Sequence, residues 1–339
     1  MATHCRKLSA RLWHYDDQPW YEVLSNIPCS GRLLCSRCRS NPHGWSVAFT
    51  PPVRPQTKTL SALTCVGGWF DKKRGTAFGI MFTGSSIGGV VLPIMLSHLI
   101  RSLGFGWALR ICAFLILGLL IIACMTVQSF YPPRPHRVTW PELAKPFTEL
   151  QFVVLAAGFF GLAFGGFAPI NYLPLQALST GMNPQVAQYL LSILNGASMF
   201  GRLFSGFLGD EIGIYNSFLV ASYASCIWIL ALWLLDIGDA ALIAFAALFG
   251  FFSGASIPML TPMIMQVSPL AELGFRIGIM SLIISVGGLV TNPICGAILD
   301  SSSSWADVKI FAGVFCLAGT SFMLVARIRK TGWKIFARF

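Results

Sequence analysis

From residue 75 to the carboxyl end, the chain alternates long apolar stretches with short polar breaks, and the stretches are of membrane-crossing length. A bilayer core takes about 20 apolar residues per helix. Lipid offers backbone groups no hydrogen-bond partner, so each stretch has to be helical. The pattern predicts eight spans, at about 75–98, 106–127, 151–173, 187–209, 215–235, 240–265, 276–298 and 309–326. Ahead of them, Leu60–Phe70 is apolar but too short to cross alone, and residues 1–58 contain no span. Between the second and third spans lie Pro132, Pro133, Pro135, Pro141 and Pro146, which argue against a continuous helix there. The expected organisation is a polar, basic, disordered tail over 1–58 and a partial amino-terminal bundle over 59–127. A cytosolic linker over 128–150, a six-helix carboxyl-terminal bundle over 151–327 and a basic cytosolic tail over 328–339 follow.

Composition agrees with an all-α integral membrane protein. Apolar residues make up 55% of the chain, charged residues only 11%, and the mean hydropathy is +0.68. Soluble domains carry about 25% charged residues. Eight spans would use most of the 339 residues, which leaves no room for a large soluble catalytic domain. A net charge of +11 could point to nucleic acid, but its distribution points to lipid instead. One set of alternate loops and ends holds Lys72, Lys73, Arg74, Arg134, Arg137, Lys145, Arg276, Arg327, Arg329, Lys330, Lys334 and Arg338. The other set holds Arg101 and Lys309. The basic side of a membrane protein is cytoplasmic, so the carboxyl terminus is expected inside, with anionic lipid as a contact and no nucleic-acid partner.

Cys112, Cys124, Cys226, Cys295 and Cys316 lie in apolar stretches and read as small buried residues rather than a disulfide set. Cys29, Cys35, Cys38 and His43 lack the second Cys-x-x-Cys or His pair of a zinc site, so neither metal nor cofactor is expected. No cleavable signal peptide is evident in the first residues.

Internal symmetry is common in transporters. Gly88-Gly89-Val-Val-Leu-Pro93-Ile94, with Trp107 after it, resembles Gly287-Gly288-Leu-Val-Thr-Asn-Pro293-Ile294, with Trp305 after it. The first two and last two spans would then be equivalent.

Candidate chemistry is sparse. Every acidic residue falls in a loop, a tail or a span end, so no buried carboxylate relay and no paired-carboxylate hydrolytic site is visible. A non-enzymatic role follows. Arg202 is the exception among the charges, because it falls inside the fourth span, where a cation is costly and faces a cavity or partner. Its forked donors match a carboxylate. The structural alternative is an arginine that snorkels toward the cytoplasmic end, since Asp210 follows two turns later. Arg110 lies near the outer end of its span. Asn171, Tyr172, Gln176, Gln188 and Asn195 are polar groups available to line a cavity. Gly84-x-x-x-Gly88 and Gly161-x-x-x-Gly165 have the spacing that lets helices approach closely. Pro93, Pro169, Pro174, Pro258, Pro262 and Pro293 predict bent or broken helices.

Several of these stretches resemble a known family. Trp69-Phe-Asp71-Lys72-Lys73-Arg74-Gly, then Gly84-Ser-Ser-Ile-Gly-Gly89-Val-Val-Leu-Pro93, is similar to the fungal branch of the monocarboxylate porters within the major facilitator superfamily. Gly106-Trp-Ala-Leu-Arg110, Ala168-Pro-Ile-Asn-Tyr-Leu-Pro174 and the run from Asn195 through Gly201-Arg202 to Asp210-Glu-Ile-Gly213 extend the likeness over about residues 65–330. The resemblance implies two six-helix bundles rocking about a central site, and a chain that lacks the family's first three to four helices. It places the family's paired positions on Arg202 and Ser198, so the substrate site is expected at these two, with Asn195, Asn171 and Tyr172 as the polar groups lining it. It also implies a conformational role for Asp71, Lys72, Lys73, Arg74 and Asp210. In animal members an Asp–Arg pair of the eighth helix serves proton and carboxylate binding. The arginine falls on Arg202, whereas the acid falls on Ser198, which cannot ionise, so proton co-transport is not carried over through that pair. The function expected is secondary transport of a small organic anion or secondary metabolite, with the plasma membrane as default location. The alternative is a truncated, non-transporting membrane remnant or scaffold.

Overall fold

The computed structural model describes residues 66–67, 70, 73–126, 140–235, 238–269, 272–302 and 304–332. The tail over 1–58 with its cysteine–histidine group, Asp71, Lys72, residues 127–139 and residues 333–339 lie outside the described residues.

Eight long helices follow one another: α1 (Arg74–Leu103), α2 (Phe105–Thr126), α4 (Leu150–Ser179), α5 (Pro184–Ile212), α6 (Ile214–Trp228), α7 (Asp239–Ser256), α9 (Leu273–Ser302) and α10 (Trp305–Thr331). The described residues also hold two short helices, α3 (Trp140–Thr148) and α8 (Leu260–Val267). All eight expected spans fall on helices. Seven of the helical segments are long and apolar enough to cross a membrane, which makes this a multi-pass membrane protein. The remaining long helix, α5, has the length at 29 residues but a mixed composition. Its two faces differ. Phe200, Phe204 and Phe207 stand exposed on one side, while Ser198, Gly201, Arg202, Ser205, Gly206 and Gly209 are buried on the other. Helical spacing of three and four residues separates the two sets. The polar face therefore meets other helices, and the phenylalanine face is largely exposed, with Phe204 touching Phe251 of α7.

Only some of the span prolines interrupt a helix: Pro93, Pro169, Pro174 and Pro293 lie inside helices that continue through them. Pro258 and Pro262 coincide with the end of α7, where a 3-10 turn at Ile257–Met259 leads into α8. A π-helical turn at Ile229–Trp233 extends α6, which the hydrophobic pattern does not announce. The segment expected to be a linker holds one short helix. Pro141 and Pro146 do not prevent α3, because a first-turn proline loses only an N–H that has no helical partner, and Pro146 lies in the last turn.

Helices α1 and α9 share a length and a proline position, while α2, at 22 residues, and α10, at 27, differ. Both α1 and α9 are 30 residues long with one internal proline, Pro93 and Pro293, about two-thirds of the way along. Among the described residues helix α2 packs mainly against α1, and most of its side chains are exposed.

The helices from α4 to α10 pack on one another around two apolar clusters, one centred on Trp233, Phe245 and Phe249, the other on Phe152, Phe218 and Met263. Lipid tails are as apolar as leucine, so close packing rather than water exclusion joins these helices. Glycines supply it. Gly158 and Gly161 of α4 face Met323 and Gly319 of α10, and a Cβ at Gly161 would come 2.9 Å from the Gly319 Cα. Gly165 meets Cys316. Gly84 and Gly88 differ from this pattern: a Cβ on Gly84 meets nothing within 4 Å, and one on Gly88 meets only Leu92 of its own helix. Their spacing does not join helices here.

Candidate functional site

Helices α1 and α5 meet along a polar seam, and it gathers four of the residues singled out by the sequence. At one end, Asp210 in the last turn of α5 caps the start of α1. Its carboxylate accepts from the Gly75 N–H at 2.8 Å, the Thr76 N–H at 2.9 Å and the Thr76 hydroxyl at 2.6 Å. The first N–H groups of a helix have no partner within it and carry the positive end of its dipole, so an anion is favourable there. The cap comes from a residue about 135 positions away, which is why α1 has no cap from its own sequence: Lys73 precedes it without a side-chain bond. Lys73 is exposed, and the Arg74 Nε–H donates to the Phe70 carbonyl at 3.1 Å.

Deeper in the seam the backbones touch. A Cβ at Gly79 would lie 2.7 Å from the Arg202 carbonyl oxygen, and one at Gly206 would lie 2.9 Å from the Gly75 carbonyl oxygen. Arg202 itself is 6% exposed. Its Nη1 donates to the Phe82 carbonyl and the Ser85 hydroxyl, both on α1. Its Nε–H is buried without a partner among the described residues. One turn earlier, Ser198 accepts a long bond from Ser86 at 3.4 Å. Asn195 donates to the Leu191 carbonyl at 2.9 Å and packs on Gly89, where a Cβ would come 2.7 Å from its Cγ.

Asn171 and Tyr172 lie elsewhere. They join α4 to α9: the Asn171 amide donates to the Asn292 Oδ1 at 2.8 Å, and the Tyr172 hydroxyl donates to the Asn292 carbonyl at 2.9 Å. Gln176 is fully buried and accepts from the Trp233 indole at 2.7 Å. Arg110 lies over the Trp107 ring at 5.0 Å. Among the described residues no cluster of three or more His, Cys, Asp or Glu could hold a metal ion. Cys226, Cys295 and Cys316 are buried as expected, while Cys124 is exposed on α2.

A second ionic group escaped the sequence reading, which counted Arg276 as a loop cation. Arg276 is fully buried and forks onto both Glu149 oxygens at 2.6 Å. It also bonds Glu272 at 2.6 and 2.9 Å, and Glu272 pairs with Lys145 at 2.8 Å. The cluster ties α3 and the start of α4 to α9. Lys309, expected in a loop, is likewise buried, in the first turns of α10. The only signal for the cluster was an i, i+4 Glu-Arg spacing, Glu272 to Arg276.

The cluster predicts a pH response. Bonding to Arg276 holds the Glu149 carboxyl below its ordinary value of 4.5, and the bonds to Lys145 and then Arg276 do the same for Glu272. Both groups bind protons less readily in the folded chain than in the unfolded one. Their contribution is therefore complete above about pH 4.5 and is lost as pH falls through the depressed folded values. Thermal unfolding of the purified chain in detergent should show a midpoint that drops below pH 4.5, less so in Glu149→Gln/Glu272→Gln.

Comparison with known proteins bears on this fold directly. The family model described as Major Facilitator Superfamily matches residues 59–240 and again 155–335. The chain is 47% identical over 280 residues to the MFS transporter asaE of Aspergillus flavus, covering 82% of this chain and 63% of that protein. It is 45% identical to the fujikurins efflux protein of Gibberella fujikuroi, with 82% and 60% covered, and 37% identical to the aspyridones efflux protein apdF of Emericella nidulans, with 76% and 53% covered. The chain thus spans about 60% of the length of these relatives. Among solved structures, FucP, a Major Facilitator Superfamily transporter in the outward conformation, superposes with a TM-score of 0.63 at 14% identity, over 79% of this chain and 72% of FucP. Family match, relatives and helical fold agree, and the chain belongs to the Major Facilitator Superfamily.

Proposed function

We propose that the chain serves in secondary transport, exporting a small secondary metabolite across the plasma membrane by alternating access, with its carboxyl terminus in the cytoplasm. The relatives at 45% and 37% identity named as efflux proteins for fujikurins and aspyridones support export of such compounds. Basic residues on one set of loops support the orientation.

One observation carries the reading: Asp210 of α5 caps the amino terminus of α1 across the seam. A rocking transporter needs a contact between its moving parts that holds one state and releases without breaking a packed core. A carboxylate on a helix terminus, flanked by glycine contacts, meets that need. Arg202 serves the same seam, because its bonding partners are a hydroxyl and a carbonyl of α1. A non-transporting scaffold gives no reason for a seam of this kind.

Asp210→Ala tests the reading. Losing a charged acceptor for three donors costs about 2 kcal/mol, which shifts a closed–open equilibrium about thirtyfold. Ser86 is fully buried in the seam. A cysteine placed there by Ser86→Cys should react with an impermeant maleimide from the cytoplasmic side several times faster in the Asp210→Ala background. Export from vesicles should fall while membrane insertion is kept. Unchanged labelling together with unchanged export would remove the seam from the mechanism.

A further inference from the structure

Two cysteines that stand 90 positions apart in the sequence meet inside the bundle. The Cys226 thiol of α6 donates to the Cys316 Sγ of α10 at 2.9 Å, and the two residues are only 1% and 3% exposed. A disulfide bond is about 2.05 Å long, so about 0.9 Å of approach separates these free thiols from a bond. Thr320, one turn after Cys316, donates its hydroxyl to the Cys316 carbonyl at 2.8 Å and holds its oxygen 3.7 Å from the Cys226 Sγ. Close packing on both sides fixes the place of Cys316. A Cβ on Gly313, one turn earlier in α10, would overlap Leu230 of the π-helical turn that follows α6. A Cβ on Gly165 of α4 would overlap the Cys316 Cβ.

Access to this place sorts reagents by polarity. Cys316 lies in the wall of a cavity of about 320 Å³ formed by α4, α6, α7, α8, α9 and α10. That is the size of a small-molecule pocket. No charged side chain lines it. Phe167 and Ile257 of its lining are 37% and 40% exposed, so it opens to the outside of the bundle. A charged oxidant such as glutathione disulfide would shed its hydration there with no countercharge in return. A small, uncharged, membrane-soluble oxidant pays no such penalty.

We propose that Cys226 and Cys316 form a redox-active dithiol, and that an organic hydroperoxide, of the kind oxidised lipid supplies, converts it to a disulfide that staples α6 to α10. One thiol attacks the terminal peroxide oxygen. The O–O bond breaks, the thiol proton goes to the leaving oxygen to make an alcohol, and a sulfenic acid forms. The second thiol attacks that sulfur, its proton leaves with the hydroxyl as water, and the S–S bond closes. Two electrons pass from the thiols to the peroxide, with no further reagent. Charged reductants meet the same barrier on the way back, so the staple persists once made. The proposal is independent of what the chain carries.

The test uses the full chain purified in detergent. It is treated with cumene hydroperoxide or with glutathione disulfide, its remaining thiols are alkylated after denaturation, and its peptides are read by mass spectrometry. Cumene hydroperoxide should yield a joined Cys226–Cys316 peptide pair lacking two hydrogens, at least about tenfold faster than glutathione disulfide. The midpoint of thermal unfolding should rise by about 5 °C and fall back on treatment with tributylphosphine, an uncharged reductant. Cys226→Ala and Cys316→Ala should show neither the joined peptides nor the rise. Cys226 and Cys316 recovered separately alkylated after hydroperoxide, or equal rates with the two oxidants, overturns the proposal. So does a joined pair with no change in midpoint. These measurements are made on the unaltered chain and hold even if a variant fails to fold.

Discussion

Arg276→Ala is expected to lower the stability of the chain by about 3 kcal/mol, the cost of removing one partner from a buried ion cluster. The guanidinium is fully buried and satisfies four acceptor contacts from two carboxylates while lying 5.6 Å from the Phe152 ring centre. Its removal leaves Glu149 without a bonded cation and sets it beside Glu272, which keeps its pair with Lys145. Glu149 also occupies the position just before α4, so the loss frees the point where that helix begins. Arg276→Lys should lose part of this, since an ammonium cannot fork onto two carboxylates. Arg276→Met combined with Glu149→Gln and Glu272→Gln should recover stability relative to Arg276→Ala, because no charge is then stranded. Chemical unfolding in detergent measures all three. A loss under about 1 kcal/mol for Arg276→Ala would class the cluster with exposed pairs.

Gly201→Ala is expected to cost about 3 kcal/mol, at the upper end for overpacking. Along the α5–α7 contact, a Cβ on Gly201 would coincide with the Phe251 carbonyl oxygen, one on Gly250 with the Leu194 carbonyl, and one on Gly254 with Ser198. These obstacles are backbone or short side chains, so the helices themselves would have to separate. The proper comparison is Gly84→Ala. It sits in an equally suggestive Gly-x-x-x-Gly, yet has open space around it, and should gain up to about 1 kcal/mol from helix propensity. Thermal unfolding and gel-filtration profiles of the two variants decide the matter. Similar behaviour would mean that the α5–α7 approach does not depend on the missing side chain.

The hydrophobic pattern carried most of the fold. Spans were legible because lipid forces apolar residues into helices of one length, and the phenylalanine stripe of α5 obeys the same periodicity. Arg202 was legible as an anomaly, since a charge in a span needs a reason. Its partners were not, because Phe82 and Ser85 stand about 120 positions earlier and nothing local ties them to it. Asp210 was flagged through its motif, while its bond to Gly75 depends on α1 and α5 lying side by side. The Arg276 cluster was missed for the same reason: Glu149 is 127 positions away. The cavity that reaches from Phe159 to Cys316 draws on six helices, and no spacing along the chain encodes that convergence. The short helix α3 is not legible in the sequence, because its two prolines read as helix breakers until their places in the turns are known.

Two ways of joining helices occur in this molecule. Between α4 and α10 the junction is dry and interlocked, glycine against glycine and methionine. Between α1 and α5 glycine contacts are joined by hydrogen bonds, which water can take over when the helices part. The first kind, once parted, exposes surfaces with no substitute for what they touched. The second can be undone and remade on every cycle, so motion should be written into the hydrogen-bonded junction and endurance into the dry one.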